Sequence, residues 1–397
     1  MSLFARGYRL DTKNLGIRPS GILVATSVPQ GAQILINGDL ESATNTTLYL
    51  PPDSYDIEIK KESFLAWKKR ITIKKEEVTK ADALLFPAVP SLSALTSTGV
   101  IKPILSPDGT KIAYGVPGDK SEKEQKTGIW VMELADLPIG FSREPKQVTD
   151  VAPENAAWEF SPDSREILLT TQNGNFIISS GSMTPQTQLV NLPADKLKIR
   201  FDQWKKEEDK RLRGKLEKLP KEMQDILARK TKALEFSPDE NKVLYTVSGS
   251  AQIPDNLIPP LPGSSTQQQE KNIKDGKTYV YDIKEDRNFF ITDLFGMEEQ
   301  KNQKTEKQEF PGSSVSKFLS SQGSALRWFP TSNHLVLAEP NKITIMDYDG
   351  TNRQVVWATP YEAPYVIPSP NTQQLLILTS LGAGNGMASN LYALRLR

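Results

Sequence analysis

The chain has 397 residues, too many for one ordinary core, and with 24% charged and 38% hydrophobic residues it can bury more than one. Lys plus Arg number 49 against 48 Asp plus Glu, and a formal charge of +1 gives no global electrostatic reason to expect nucleic acid. Cysteine is absent, which excludes disulfides and thiolate metal sites, and the single histidine, His334, leaves little room for imidazole chemistry.

No stretch reaches the roughly 18 apolar residues that a membrane span requires, and no apolar signal-peptide core is present. The chain opens with Phe4-Ala5-Arg6-Gly7-Tyr8-Arg9. An aromatic and two arginines at a chain start suit either a frayed terminus or the flank of a membrane helix lying ahead of them.

Residues 21–87 read as short strands divided by turns. Gly21 to Ser27 is an apolar run, and Pro29-Gln30-Gly31-Ala32 is a turn. Ile34 and Ile36 alternate with polar neighbours, and Asn37-Gly38 is a strong hairpin signal. Leu48 and Leu50 alternate next, before Pro51-Pro52-Asp53 breaks the run. Tyr55, Ile57 and Ile59 face one way while Asp56, Glu58 and Lys60 face the other. Ile71 and Ile73 follow, and the last strand runs through Ala83, Leu84, Leu85 and Phe86. The pattern predicts half-buried antiparallel sheet in a small sandwich.

Pro29-Gln30-Gly31-Ala32, Ile34-Leu35-Ile36-Asn37-Gly38, Leu50-Pro51-Pro52 and Tyr55-Asp56-Ile57 resemble the PEGA domain, named for its Pro-Glu-Gly-Ala turn. The resemblance covers residues 21 to about 87. It departs at Asp53-Ser54 and at Ser63-Phe64, where the family carries glycine, and those two turns stay open in geometry. It implies a module of bacterial and archaeal surface proteins with no catalytic activity of its own.

Beyond the sandwich a prolyl turn recurs at Pro107, Pro162, Pro238, Pro330 and Pro370. Three copies read Ser-Pro-Asp (106–108, 161–163 and 237–239); Phe329-Pro330-Thr331 and Ser369-Pro370-Asn371 are degenerate. An apolar triplet follows each turn: Ile112-Ala113-Tyr114, Ile167-Leu168-Leu169, Val243-Leu244-Tyr245, Leu335-Val336-Leu337 and Leu375-Leu376-Ile377. Continuous apolar runs mark strands buried on both faces. Each unit adds a second strand, at 129–132, 176–178, 279–281, 343–346 and 391–394. The unit is similar to the TolB-type and WD40-like propeller repeats, with Leu105-Ser106-Pro107-Asp108-Gly109 and Ile345-Met346-Asp347 nearest to that pattern.

A blade takes roughly 40–45 residues, so residues 90–397, less two insertions, hold five blades, with six as the alternative. Ser91 to Thr96 is expected to pair with the sheet of Leu391–Leu394, because both chain ends otherwise leave open edges. The insertion at 194–232 is helical. Trp204, Leu212, Leu216 and Leu219 fall at helical spacing, Pro220 divides it in two, and eleven basic residues face six acidic ones between Lys205 and Lys232. It reads either as a partner-binding hairpin presenting Trp204, Arg211 and Arg213, or as a solvated decoration packed by its apolar stripe. The segment 248–276, with four prolines and Ser264-Ser265-Thr266-Gln267-Gln268-Gln269, reads as a mobile loop. Residues 297–324 are similarly polar.

His334 falls in the turn of the fourth repeat, aligned with Lys111, Glu166, Lys242 and Gln374, and is expected at the surface. Asp108, Asp163 and Asp239 are explained as turn residues bonding nearby backbone amides. Asn45-Thr46-Thr47 matches a glycosylation sequon by chance in a polar hairpin. No nucleophile elbow, phosphate loop or paired-histidine zinc motif is present.

The expectation is an all-β chain: an N-terminal segment (1–20), a PEGA-like β-sandwich (21–87) and a β-propeller (88–397) carrying a helical-hairpin insertion. Its expected work is that of a non-catalytic interaction protein of the bacterial cell envelope, binding a protein or glycan. No cofactor, metal or nucleic acid is expected, and the resemblance implies an N-terminal membrane helix ahead of this chain. One alternative is a hydrolase or lyase using carboxylates and arginines on the central channel, which inward-facing acidic side chains favour and an uncharged lining excludes. Another is a structural spacer, favoured by the lack of a concave patch.

Overall fold

The computed structural model describes residues 8–11, 16–118, 127–134, 144–293, 325–381 and 388–397. Residues 4–7 and the polar segment 297–324 lie outside the described residues. Among those described, no helix is long and apolar enough to cross a membrane.

The N-terminal part is two sheets face to face. One orders Thr46–Leu50, Gly21–Val28 and Val78–Leu84; the other orders Asp39–Ala43, Gln33–Ile36, Asp53–Lys60 and Trp67–Ile73. Alternation sends Leu23, Ala25, Ile34, Ile57, Ile59, Ile71 and Ile73 into one shared core. Asn37 and Gly38 both take positive φ, 51° and 94°, as the two-residue hairpin requires. One expectation fails: Gly21–Val28 pairs with Val78–Leu84 in parallel. The chain crosses between sheets at residues 74–77 instead of turning back beside its neighbour, so no hairpin imposes the antiparallel sense. Ser63 adopts a φ of 67°, the left-handed conformation for which the family uses glycine, whereas Asp53 opens an extended strand.

Apart from two short ladders, Tyr8–Asp11 with Gly16–Pro19 and Ala251–Gln252 with Asn272–Ile273, the remaining described strands form five antiparallel sheets. In chain order the first holds Ile101–Leu105, Lys111–Val116, Gly128–Glu133 and Lys146–Thr149. The second holds Ala156–Phe160, Glu166–Thr171 and Gly174–Ser179. The third holds Thr231–Phe236, Lys242–Val247, Lys277–Asp282 and Arg287–Asp293. Leu326–Trp328, His334–Glu339, Lys342–Asp347 and Gln354–Trp357 form the fourth. The fifth orders Val366–Pro368, Gln374–Thr379, Asn390–Arg395 and Ser91–Ala94. Ser91 pairs with Arg395 and Ala94 with Tyr392, so the first and last strands of this region meet as the unpaired edges demand.

The same turn opens every sheet. The second residue after each proline is left-handed: Gly109, Ser164, Glu240, Ser332 and Thr372, with φ between 58° and 72°. Each donates its N–H to the carbonyl three residues back, at 2.8–3.0 Å. In the Ser-Pro-Asp copies the serine hydroxyl donates to the aspartate at 2.6 Å and accepts the amide five residues on, from Lys111, Glu166 or Lys242. These turn bonds hold non-glycine residues in a conformation that costs about 1–2 kcal/mol each. Neighbouring turns also interlock: Asp108 N–H donates to Ser164 Oγ, and Asp239 N–H to Ser332 Oγ.

The sheets pack in cyclic order. Fifth and first share the core of Ile112, Tyr114, Leu376 and Leu391; first and second share that of Ile129, Val131, Trp158 and Ile167. Third meets fourth around Leu244, Val280, Leu335 and Met346, and fourth meets fifth around Phe329, Val336, Leu375 and Leu394. Between second and third stands the insertion, helix α1 (Ala194–Leu216) and helix α2 (Lys221–Arg229). Leu219, Met223 and Leu227 pack on Val243 and Tyr245 of the third sheet. Arg200 pairs with Glu166 on the second sheet, while Lys215 and Lys218 clasp Glu240 on the third.

The sandwich is docked against this ring. Lys69 lies between Asp347 and Asp349, at 3.0 and 2.5 Å, with both carboxylates buried and the lysine mostly so. Removing one partner from such a group leaves uncompensated buried charge and costs about 3–5 kcal/mol. Gln354 donates to Ala66 O and Asn352 accepts from Lys68 N–H. The segment 248–276, expected to be mobile, instead straps the two parts together. Gly263 N–H donates to Glu77, Thr266 Oγ1 accepts Thr72 N–H, and Gln267 Nε2 donates to Arg70 O.

The expectation for His334 is overturned. It opens a strand, as its alignment implies, but it is buried. Phe86, arriving from the sandwich, packs edge-on against both its ring and Phe329. Burial, with the nearby Lys69 charge, pushes the imidazole down to about 4. His334 therefore stays neutral at pH 7, and its contribution to stability is lost as pH falls from 6.5 toward 4. Proton NMR of the folded chain, which has one histidine to observe, should show a midpoint near 4; a midpoint near 6.5 would mean that the sandwich does not cover it.

Candidate functional site

The first strand of each sheet ends at one cavity of about 580 Å³. Its wall takes Leu105 from the first sheet, Glu159 and Phe160 from the second, Glu235 and Phe236 from the third, Arg327 and Trp328 from the fourth, and Pro368 from the fifth. Pro107, Pro238, Pro330 and Pro370 of the repeated turns also line it. Proline presents an apolar edge with no donor, so these four supply rigid apolar patches in the wall. Trp328 Nε1–H donates to Glu235 O at 3.2 Å and ties the fourth sheet to the third.

Lys215 of α1 and Asp108 also line the cavity, and the three charged members on the strands follow one rule of register. Counting two residues back from the residue before each repeated proline gives Ile104, Glu159, Glu235, Arg327 and Ile367. Glu235 is surrounded by protein and keeps only the surface it turns to the cavity; burial raises it to about 7, and the Arg327 charge partly opposes this. Arg327 is itself lowered by burial. Burial raises Glu159. Glu208, on α1, is raised to about 7 by burial and then by the charge of Glu159, with Arg211 opposing. Among the described residues no group of three or more histidine or acidic side chains is placed to hold a metal. The uncharged lining that would exclude channel chemistry is not what the cavity has.

The residues expected to face a partner on the insertion lie elsewhere. Trp204 is 5% exposed and packs edge-on against Phe201. Arg211 reaches Pro162 O at 3.3 Å and pairs with Glu207. Arg213 is exposed. Asp108, Asp163 and Asp239 accept the amides of Thr110, Arg165 and Asn241, which is the turn role expected of them.

The raised Glu235 sets a stability trend. A folded pKa above the unfolded one favours the protonated form, so stability falls as pH rises from about 4.5 through 7. Glu235→Gln should stabilise the chain above pH 7 in urea titrations, with the gain vanishing toward pH 4.5. A gain independent of pH, or a loss at pH 8, would contradict this environment.

Among solved structures, the chain is similar to a putative TolB from Agrobacterium tumefaciens, at 12% identity over 92% of this chain and 79% of that one, with a TM-score of 0.21. It is similar to TolB from Acinetobacter baumannii at 14% identity, covering 87% and 60%, with a TM-score of 0.22. An acylaminoacyl peptidase from Pyrococcus horikoshii is matched at 13% identity over 74% of this chain and 38% of that one, with a TM-score of 0.21. Superpositions this loose transfer nothing to the present chain. No curated protein matches it. The family model that matches is the PEGA domain, over residues 20–88, which are the N-terminal sandwich.

Proposed function

We propose that the chain is a non-catalytic interaction protein of the bacterial cell envelope: a PEGA domain (21–87) locked onto a five-bladed β-propeller (88–397) that binds a protein partner at its central cavity. The observation that carries this reading is the convergence of all five sheets on one concave, proline- and aromatic-walled cavity. Five blades explain the cyclic packing, the repeated turn and the pairing of residues 91–94 with 392–395. The helical insertion then acts as a wedge between the second and third blades. The envelope assignment rests on the PEGA match and on where that family is found.

A concave surface with aromatic and arginine side chains at its centre is where binding energy concentrates in protein interfaces. Trp328 and Arg327 are the anchors of this reading. A spacer without binding is disfavoured by the same concavity. The hydrolase or lyase reading keeps one observation, the raised carboxyls of Glu159 and Glu235 facing the cavity. A glycan in place of a protein is the remaining variant.

Photo-crosslinking separates these readings. A benzophenone side chain placed at Pro107 or Pro370 on the cavity wall, in the native cell, should give one protein adduct that Trp328→Ala weakens about tenfold or more. The same probe at exposed Lys205 on α1 should give none. Equal adducts at both places, or none at the cavity, would overturn the proposal.

A further inference from the structure

The second sheet differs from the other four. Those carry a fourth, outer strand: Lys146–Thr149, Arg287–Asp293, Gln354–Trp357 and, from just after the sandwich, Ser91–Ala94. Among the described residues the second sheet stops at its third strand, Gly174–Ser179. Residues 180–193, which in chain order would supply the fourth, are described and form no strand.

In the first, third and fourth sheets the outer strand is built to a pattern. Its register slips by one residue opposite Ile129/Trp130, Thr278/Tyr279 and Ile343/Thr344, and the residue at each bulge is β-branched and buried: Val148, Ile291 and Val356. In the second sheet that bulge would fall beside Asn175, where the chain partly fills it. Leu189 packs toward the core between the first and second sheets, Leu192 N–H donates to Asn175 O at 2.7 Å, and Asn191 Oδ1 accepts Asn175 N–H at 3.0 Å.

Past Asn175 nothing does. Thr171 and Gly174 close a two-residue hairpin, so Phe176 and Ile178 exchange bonds with Leu169 and Ile167, and the backbone groups of Ile177 and Ser179 point away from the sheet. Among the described residues neither the amide nor the carbonyl of either has a partner. The equivalent positions in the other sheets are paired, Val131 with Lys146, Val280 with Phe289 and Ile345 with Gln354. Exposed apolar side chains flank this edge in sequence, Met183 just past it and Val190 beside the Asn191 that caps it, at 44% and 78%.

We infer that the edge at Ile177–Ser179 is a docking site for an extended segment of a partner protein, which adds the fourth strand that the second sheet lacks. The segment the site fits is a short extended strand of mixed polar and apolar residues, because Lys146-Gln147, Phe289-Phe290 and Gln354-Val355 hold the same position in the first, third and fourth sheets. An open edge of this kind pairs readily with a foreign strand unless a charge or proline blunts it, and Gly174–Ser179 contains neither.

Amide exchange of the full chain tests this. Ile177 and Ser179 should exchange freely in the isolated protein while Phe176 and Ile178 are protected; protection of Ile177 there would mean that the chain already fills the position, and would overturn the inference. A synthetic peptide of residues 352–359, one of the chain's own outer strands, serves as the probe. At about ten times its dissociation constant it should slow Ile177 and Ser179 exchange about tenfold. Ile177→Pro, which removes the outward N–H, and Ile177→Lys, which blunts the edge, should each abolish that effect with the His334 resonance unchanged. No slowing at saturation, or slowing that survives both substitutions, would overturn it.

Discussion

Ser91–Ala94 lies beside Asn390–Arg395, and this pairing of the first and last strands of the 88–397 region is the constraint on which the arrangement of the five sheets rests. Each sheet is apolar on both faces, so each needs a neighbour on each side, and a row of five would leave two outer faces bare. Joining residues nearly 300 positions apart is costly in chain entropy, though the cost grows only logarithmically with length. It is offset by the shared cores of the fifth with the first and fourth sheets. Five strand ends meet at one cavity, and Glu159, Glu235 and Arg327, each two residues before a turn, face a common space.

The second constraint is electrostatic. Lys69 is largely out of water, and the two carboxylates of Asp347 and Asp349 make that position tolerable. They stand at the end of a fourth-sheet strand, so the ion cluster fixes the sandwich over one particular part of the ring. The strap at residues 263–267 holds its other side. Phe86 is thereby driven against His334, and a turn that would otherwise be wet becomes interior.

What the sequence made legible was local. Asn37-Gly38 and the Ser-Pro-Asp turns announce themselves because their chemistry is decided within a few residues, and the continuous apolar triplets because both faces are buried. The first strand of each sheet was not legible, since Glu159, Glu235 and Arg327 look like ordinary surface residues until the turns are aligned and read two places back. Nor were the consequences of docking. His334, Trp204 and the proline-rich 248–276 segment each have the composition of surface structure, and each is covered or bonded by elements distant in sequence. The parallel pairing of Gly21–Val28 with Val78–Leu84 belongs to the same class, because alternation specifies faces and not direction.

The absence of cysteine makes ring closure directly measurable. Ala94 and Tyr392 face each other, and Leu95 N–H donates to Leu391 O, so the pair does not itself share hydrogen bonds and its Cα atoms stand about 4.5 Å apart, within disulfide reach. In Ala94→Cys/Tyr392→Cys, mild oxidation should give a quantitative intramolecular disulfide, and the closed form should be about 2–4 kcal/mol more stable than its reduced state. Free thiols after oxidation, or disulfides only between molecules, would show that the two ends do not meet and that the five sheets do not form a ring.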